Sequence, residues 1–256
     1  MKITILGCGA SGGVPIFAGQ WGACRPDNPR NRRRRCAALV ENANTRVLID
    51  TPPELRQQLL DSDTTWLSAT LFTHAHADHL HGIDDLRGIN RSMRAPIPIY
   101  GTPETLENIR TRFGYVLAAP DGTGNFWRPS LEPQELLHGT TRSIGTLEVT
   151  AFEQDHGFSI TTGYRIGPVS YSTDAKRLPD QALSVVSGST IWIVDCQHFV
   201  EQPTHSHFEQ TLEWIERANV ERAILTHMGQ GMDYEETMSK CPPGVEPAYD
   251  GMVISL

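Results

Sequence analysis

The chain has 256 residues, 39% of them hydrophobic, and a formal net charge of −8. That length can bury one large core or two modest ones, and with no Ser/Gly linker or low-complexity tract it predicts a single domain over residues 1–256. The acidic balance argues against a long nucleic acid as main partner, because such affinity is built largely from phosphate neutralisation.

The stretch from Met1 to Gly7 has one basic residue and only a short apolar run. It reads as neither a secretory signal nor a membrane span, which predicts a cytoplasmic protein. Short β-branched runs predict strands over 3–6, 38–41, 47–49, 69–72, 97–100, 147–152, 162–166, 169–172, 190–194, 222–225 and 252–256. So many strands imply two sheets. Helices are predicted over 53–60, 102–112 and 206–218, the last opening on a Ser206-His207-Phe208-Glu209 capping box. Residues 120–139, with Gly122, Gly124, Pro129 and Pro133, read as a long loop. Near it Phe113, Tyr115, Phe126 and Trp127 suggest a lid or a homodimer contact. The five cysteines are widely spaced without a CxxC pair, so neither a disulfide framework nor a zinc knuckle is indicated.

The chemistry is concentrated after the strand at 69–72. Phe72-Thr73-His74-Ala75-His76-Ala77-Asp78-His79 puts three imidazoles and one carboxylate into six residues. These are ligands that divalent transition metals accept, and four on one short loop are too many for a single ion with open coordination. A two-metal site is the expectation, against a merely solvated polar loop. His156, Asp174 and His227 each follow a predicted strand, where a scaffold presents functional groups. Taken singly, each is as well explained as a packing histidine or a turn aspartate.

Two further features have competing readings. Arg25, Arg30 and Arg32 to Arg35 form either a solvated basic loop or a local attractor for a small anionic substrate. Gly7, Gly9, Gly12 and Gly13 partly match a dinucleotide-binding loop, but Val14-Pro15 denies the helix that must follow. They are read instead as a tight loop lining the metal site, with backbone amides available to phosphate.

Together these residues resemble the metallo-β-lactamase-fold hydrolases along essentially the whole chain. The likeness rests on Asp50 after its strand, the His74–His79 motif, His156, Asp174 and Leu225-Thr226-His227. It implies an α/β fold, an αββα sandwich of two mixed β-sheets flanked by helices. It further implies that His74, His76 and His156 hold one metal, that Asp78, His79 and His227 hold a second, and that Asp174 bridges them. Asp50 would orient the ligand loop.

Within the superfamily the chain is most similar to the phosphodiesterase branch represented by the phosphoribosyl 1,2-cyclic phosphodiesterase of the carbon–phosphorus lyase pathway. The shared features are the opening Leu6 to Pro15, Trp21-Gly22, the arginines before Cys36, Gly82, Asp195-Cys196 and Tyr249-Asp250-Gly251-Met252. That enzyme's structural zinc is held by a cysteine cluster and a later histidine. Here Cys24 stands alone and Gln230 takes the later position, so no structural zinc is expected.

The implied activity is hydrolysis of a small anionic phosphodiester, cyclic ribose or nucleotide, with two divalent ions, zinc or manganese, as cofactors and Asp78 in the catalytic set. By the same resemblance His205 would give a proton to the leaving oxygen, with His207 as fallback and His81 and His198 as further candidates at the edge of the site. Alternatives are a glyoxalase II-like thioesterase or lactonase, a transfer-RNA processing nuclease, and a non-catalytic metal-dependent nucleotide-binding module.

Overall fold

The computed structural model describes residues 1–120, 122 and 125–256. Side-chain alternation along the strands decides its layers. In β1 (Lys2–Gly7), Ile3 and Ile5 enter one core and Leu6 another; in β2 (Ala37–Glu41), Ala38 and Val40 oppose Ala37 and Leu39. In β3 (Arg46–Ile49), Val47 and Ile49 oppose Leu48. A period of two with both faces apolar is the pattern of a sheet buried on both sides.

The chain continues through α1 (Leu55–Asp61), β4 (Ala69–Leu71), α2 (Ala77–Leu80), α3 (Leu86–Met93), β5 (Ile97–Gly101), α4 (Pro103–Phe113) and β6 (Leu131–Glu135). The other half holds β7 (Thr141–Ile144), β8 (Leu147–Asp155), β9 (Ile160–Ile166), β10 (Val169–Ser172), α5 (Asp180–Val186) and β11 (Ile191–Asp195). It ends with α6 (Phe208–Ala218), β12 (Arg222–Thr226), α7 (Tyr234–Lys240), β13 (Val245–Pro247) and β14 (Val253–Ser255).

Two seven-stranded sheets result, ordered β14-β1-β2-β3-β4-β5-β6 and β13-β12-β11-β10-β9-β8-β7. In the first, β14 to β3 pair antiparallel and β3 to β6 parallel. In the second, β7 to β10 pair antiparallel and β10 to β13 parallel. The halves thus repeat one topology. The main core lies between them, where Ile5, Val47 and Leu71 join the cluster of Val149, Tyr164 and Ile193. Leu55, Leu86, Ile89 and Ile109 cover the first sheet's outer face, and Ala182, Leu183, Phe208 and Trp214 pack with the second sheet's residues. This is the expected αββα sandwich.

Several local expectations are corrected. Part of the loop expected at 120–139 is a strand: β6 pairs with β5, and its Pro133 is tolerated because β6 is the edge of its sheet. Gly124 lies outside the described residues. Phe126 is buried, whereas Tyr115 and Trp127 remain exposed. The capping box does not form. His207 is the N-cap of α6 without a side-chain bond, and the Ser206 hydroxyl donates instead to the carbonyl of Asp195 at 2.7 Å.

Candidate metal centre

All seven predicted ligands meet at one edge of the sandwich, after β4, β8, β10 and β12. Asp50, Asp174 and His227 lie just beyond their strands with φ of 63°, 55° and 58°. Left-handed backbone at a non-glycine residue costs about 1–3 kcal/mol and persists where the surroundings enforce it, typically at functional sites. Here it turns three functional side chains into one space.

The donors fall into two groups. His74, His76, His156 and Asp174 form one, and Asp78, His79, Asp174 and His227 the other, with donor atoms in each within 4.8 Å of one another. Asp174 belongs to both. Its Oδ1 faces His74 Nε2 at 3.9 Å and His156 Nε2 at 3.6 Å, while its Oδ2 faces His79 Nε2 at 3.0 Å and His227 Nε2 at 3.5 Å. One carboxylate presents one oxygen to each group.

The Nδ1 atoms are engaged on the other side of the rings. His79 Nδ1 lies 2.7 Å from Asp50 Oδ2, His156 Nδ1 2.7 Å from the Thr204 carbonyl, and His74 Nδ1 3.0 Å from Thr73 Oγ1. His227 Nδ1 faces Asp195 Oδ1 at 3.6 Å. A histidine held at Nδ1 presents Nε2, the arrangement found behind metal ligands. Asp50 also accepts from the Thr73 amide and hydroxyl, each at 2.8 Å, and so fixes the start of the motif loop.

Whether these residues suit divalent ions is tested by what they leave unsatisfied. Nε2 of His74, His79 and His227 is buried without a hydrogen bond. Asp50, Asp174 and Asp195 are almost fully buried, and among the described residues none of them, nor Asp78, pairs with a lysine or arginine. Buried carboxylates without a compensating cation are costly. Two divalent ions would satisfy both deficits, so the donor set fits them.

The protonation equilibria express the same shortage of positive charge. Burial opposes charging of His79, yet Asp174, Asp78 and Asp50 override it and raise its pKa well above the imidazole value. His227 is likewise raised against burial by Asp174, Asp78 and Asp195. Burial would raise Asp174 and Asp78, but neighbouring imidazoles hold both below the usual carboxylate range. His74 and His156 face less negative charge, and burial lowers them.

Beside the two groups lies a third, Asp195, His205 and His227. His205 Nδ1 is 3.2 Å from Asp195 Oδ2, its Nε2 is 3.9 Å from Asp174 Oδ1, and its ring stacks on His227 with centroids 4.7 Å apart. Asp195 was known from the sequence only as part of a family likeness. Its signal was available: like Asp174 and His227, it closes a parallel strand of the second sheet. His207, His198 and His81 join neither ligand group; His81 packs instead on Phe113.

The solvated reading fits Arg25, Arg30 and Arg32, which are exposed, whereas Arg33 is buried and Arg34 and Arg35 are half-buried. Arg33 is only 2% exposed and donates to the carbonyls of Met232 at 2.7 Å and Gly229 at 3.3 Å, just beyond His227. Arg34 pairs with Asp61 and Asp250, Arg35 with Glu54, and Arg25 with Asp233. Arg30 covers Tyr234 and Tyr249, and Arg32 covers Trp21. Arg25, Arg30, Arg33 and Arg34 thereby tie this segment to residues 229–250. In the glycine loop the amides of Gly9, Ala10 and Gly13 donate to the carbonyls of Arg34, Met228 and Ala10, so these three are not available to phosphate.

Comparison with known proteins agrees with this geometry. The family model of the β-lactamase superfamily domain matches residues 45–228, which include every proposed ligand. The chain belongs to this superfamily. A crystal structure of a new diphosphatase from the PhnP family superposes with a TM-score of 0.90 at 28% identity, covering 100% of this chain and 97% of that one. Zinc-bound PqqB from Methylobacterium extorquens shares the fold, with a TM-score of 0.78, 19% identity and complete coverage (100%) of both chains.

Among sequence relatives, an octanoyltransferase of Porphyromonas gingivalis is 29% identical over 98% of this chain and 51% of its own length. A ribonuclease Z of Bradyrhizobium diazoefficiens is 31% identical over 61% of this chain and 51% of its own length. The chain thus spans about half the length of these two relatives. Hydrolases stand among its neighbours, and no helix among the described residues is long and apolar enough to cross a membrane.

Proposed function

We propose that this protein is a binuclear metal-dependent phosphodiesterase acting on a small diester such as a cyclic ribose or nucleotide phosphate. The observation that carries the reading is the division of Asp174 between two donor groups, with the Asp195–His205 pair beside them. When bound, divalent ions supply Lewis acidity, which lowers the pKa of water and offsets phosphate charge.

The chain's own residues supply position and a proton. His74, His76 and His156 would hold one ion, Asp78, His79 and His227 the other, and Asp174 both. Asp195 accepts from His205 Nδ1, which leaves Nε2 facing the space above Asp174. From that atom a proton passes to the departing alkoxide, which is too basic to leave without one. Asp195 holds the ring in that orientation and balances its charge. The similarity to a PhnP-family diphosphatase and to ribonuclease Z supports phosphoester chemistry.

The second reading, acyl or thioester chemistry, has one observation in its favour, the similarity to an octanoyltransferase. The two are separated by assaying protein reloaded with manganese or zinc on bis(p-nitrophenyl) phosphate, a 2′,3′-cyclic nucleotide and a thioester. Diester turnover that is lost on chelation supports the proposal, and thioester turnover alone contradicts it.

A further inference from the structure

A cleft of about 200 Å³ opens beside the first ligand group, and neither the family likeness nor the ligand set gives it a role. One wall is the motif loop, through His74, Ala75 and His76, and another is Ser159 and Ile160, just beyond His156. The third wall is α4, which contributes Glu104, Asn108 and Arg112. Spaced four residues apart, these three lie along one face of the helix. The cleft therefore joins the two loops that carry the first group's histidines, and whatever fills it lies next to the reacting centre.

Its chemistry is selective. Arg112 donates through Nη2 to the carbonyl of Ala75 and to Asn108 Oδ1, which ties α4 to the motif loop. Nε and Nη1 of Arg112, and the carboxylate of Glu104, have no partner among the described residues, and the two side chains do not pair with each other. A carboxylate and a guanidinium on one cleft cancel in charge, so the lining does not favour a second anion. It offers acceptors and donors side by side, as hydroxyl groups require. No Phe, Tyr or Trp among the described residues lines it, so a nucleobase would find no stacking face.

We propose that the Glu104–Asn108–Arg112 face of α4 is a specificity subsite for an uncharged, hydroxyl-rich part of the substrate, such as a polyol or sugar ring. It rests on the hydrolase reading above and narrows it, favouring sugar or polyol diesters over nucleotides.

The test is a matched pair of substrates: myo-inositol 1,2-cyclic phosphate and the cyclic phosphate of cyclohexane-1,2-diol, which lacks the free hydroxyls. Metal-reloaded wild type should prefer the first in kcat/KM by about tenfold or more, the worth of one or two well-made hydrogen bonds. Glu104→Ala should collapse that ratio, mainly through KM for the inositol ester, with metal content intact. Equal kcat/KM values in wild type, or a ratio unmoved in Glu104→Ala, would overturn the subsite. Saturation-transfer NMR with free myo-inositol against cyclohexanol reads the cleft without turnover. If neither diester is hydrolysed, the phosphodiesterase reading fails, while inositol contact that is lost in Glu104→Ala still supports the subsite. Absence of inositol contact in wild type then overturns it.

Discussion

Asp50 Oδ2 sits 2.7 Å from Nδ1 of His79, with both side chains fully buried. Asp50 also holds Thr73, so one carboxylate fixes both the ring that faces Asp174 and the start of the loop bearing His74 and His76. Burial raises its pKa against the pull of His79. Asp50→Asn keeps the shape but weakens the charge behind His79. Metal affinity should fall by about 10–100-fold, measured by competition with a chromophoric chelator, with the far-UV spectrum retained.

Protons should leave as metal enters. His79 and His227 are raised in the metal-free protein, and metal ligation requires neutral imidazole. Affinity should therefore rise with pH, and loading in weak buffer should release protons. A raised folded pKa contributes stability that is complete below the unfolded value, about 6.5, and is lost as pH climbs through the folded one. His74 and His156 are lowered, so their contribution is complete above about 6.5 and is lost as pH falls. From these four groups, metal-free protein should show a Tm that declines above neutrality, and a chelated sample scanned from pH 6.5 upward by calorimetry checks it.

The motif histidines were legible because three of them fall within one short segment, and the strands because β-branched runs end at glycine and proline. Arg33 was not. A run of arginines looks solvated, and only the fold brings the carbonyls of Gly229 and Met232 around one of them. β6 was hidden by Pro133 and its glycine-rich approach, and is a strand because β5 offers an edge. Asp195 stood out only through the family likeness and without a role, since its partners His205 and His227 are 10 and 32 positions away (205 − 195 and 227 − 195).

The clamp around Arg33 should matter for stability. Arg33→Met leaves two buried carbonyls without their donor, at a cost of about 3 kcal/mol, readable by urea unfolding. A loss below about 0.5 kcal/mol, typical of an exposed side chain, would contradict this burial.

Proton delivery by His205 depends on how basic the leaving group is. His205→Ala should slow an alkyl diester by about 10²–10⁴-fold and p-nitrophenyl diesters far less. Asp195→Asn should slow the alkyl diester more than the p-nitrophenyl diesters, in the same sense as His205→Ala. Equal losses on both substrates would remove His205 from the proton-transfer role.

The most direct measurement of the centre itself is anomalous difference density from crystals soaked in zinc. A binuclear site gives two peaks, one within ligand distance of His74, His76 and His156 and one beside Asp78, His79 and His227, with Asp174 between them. A single peak, or one seated on Asp195, His205 and His227 instead, would contradict it.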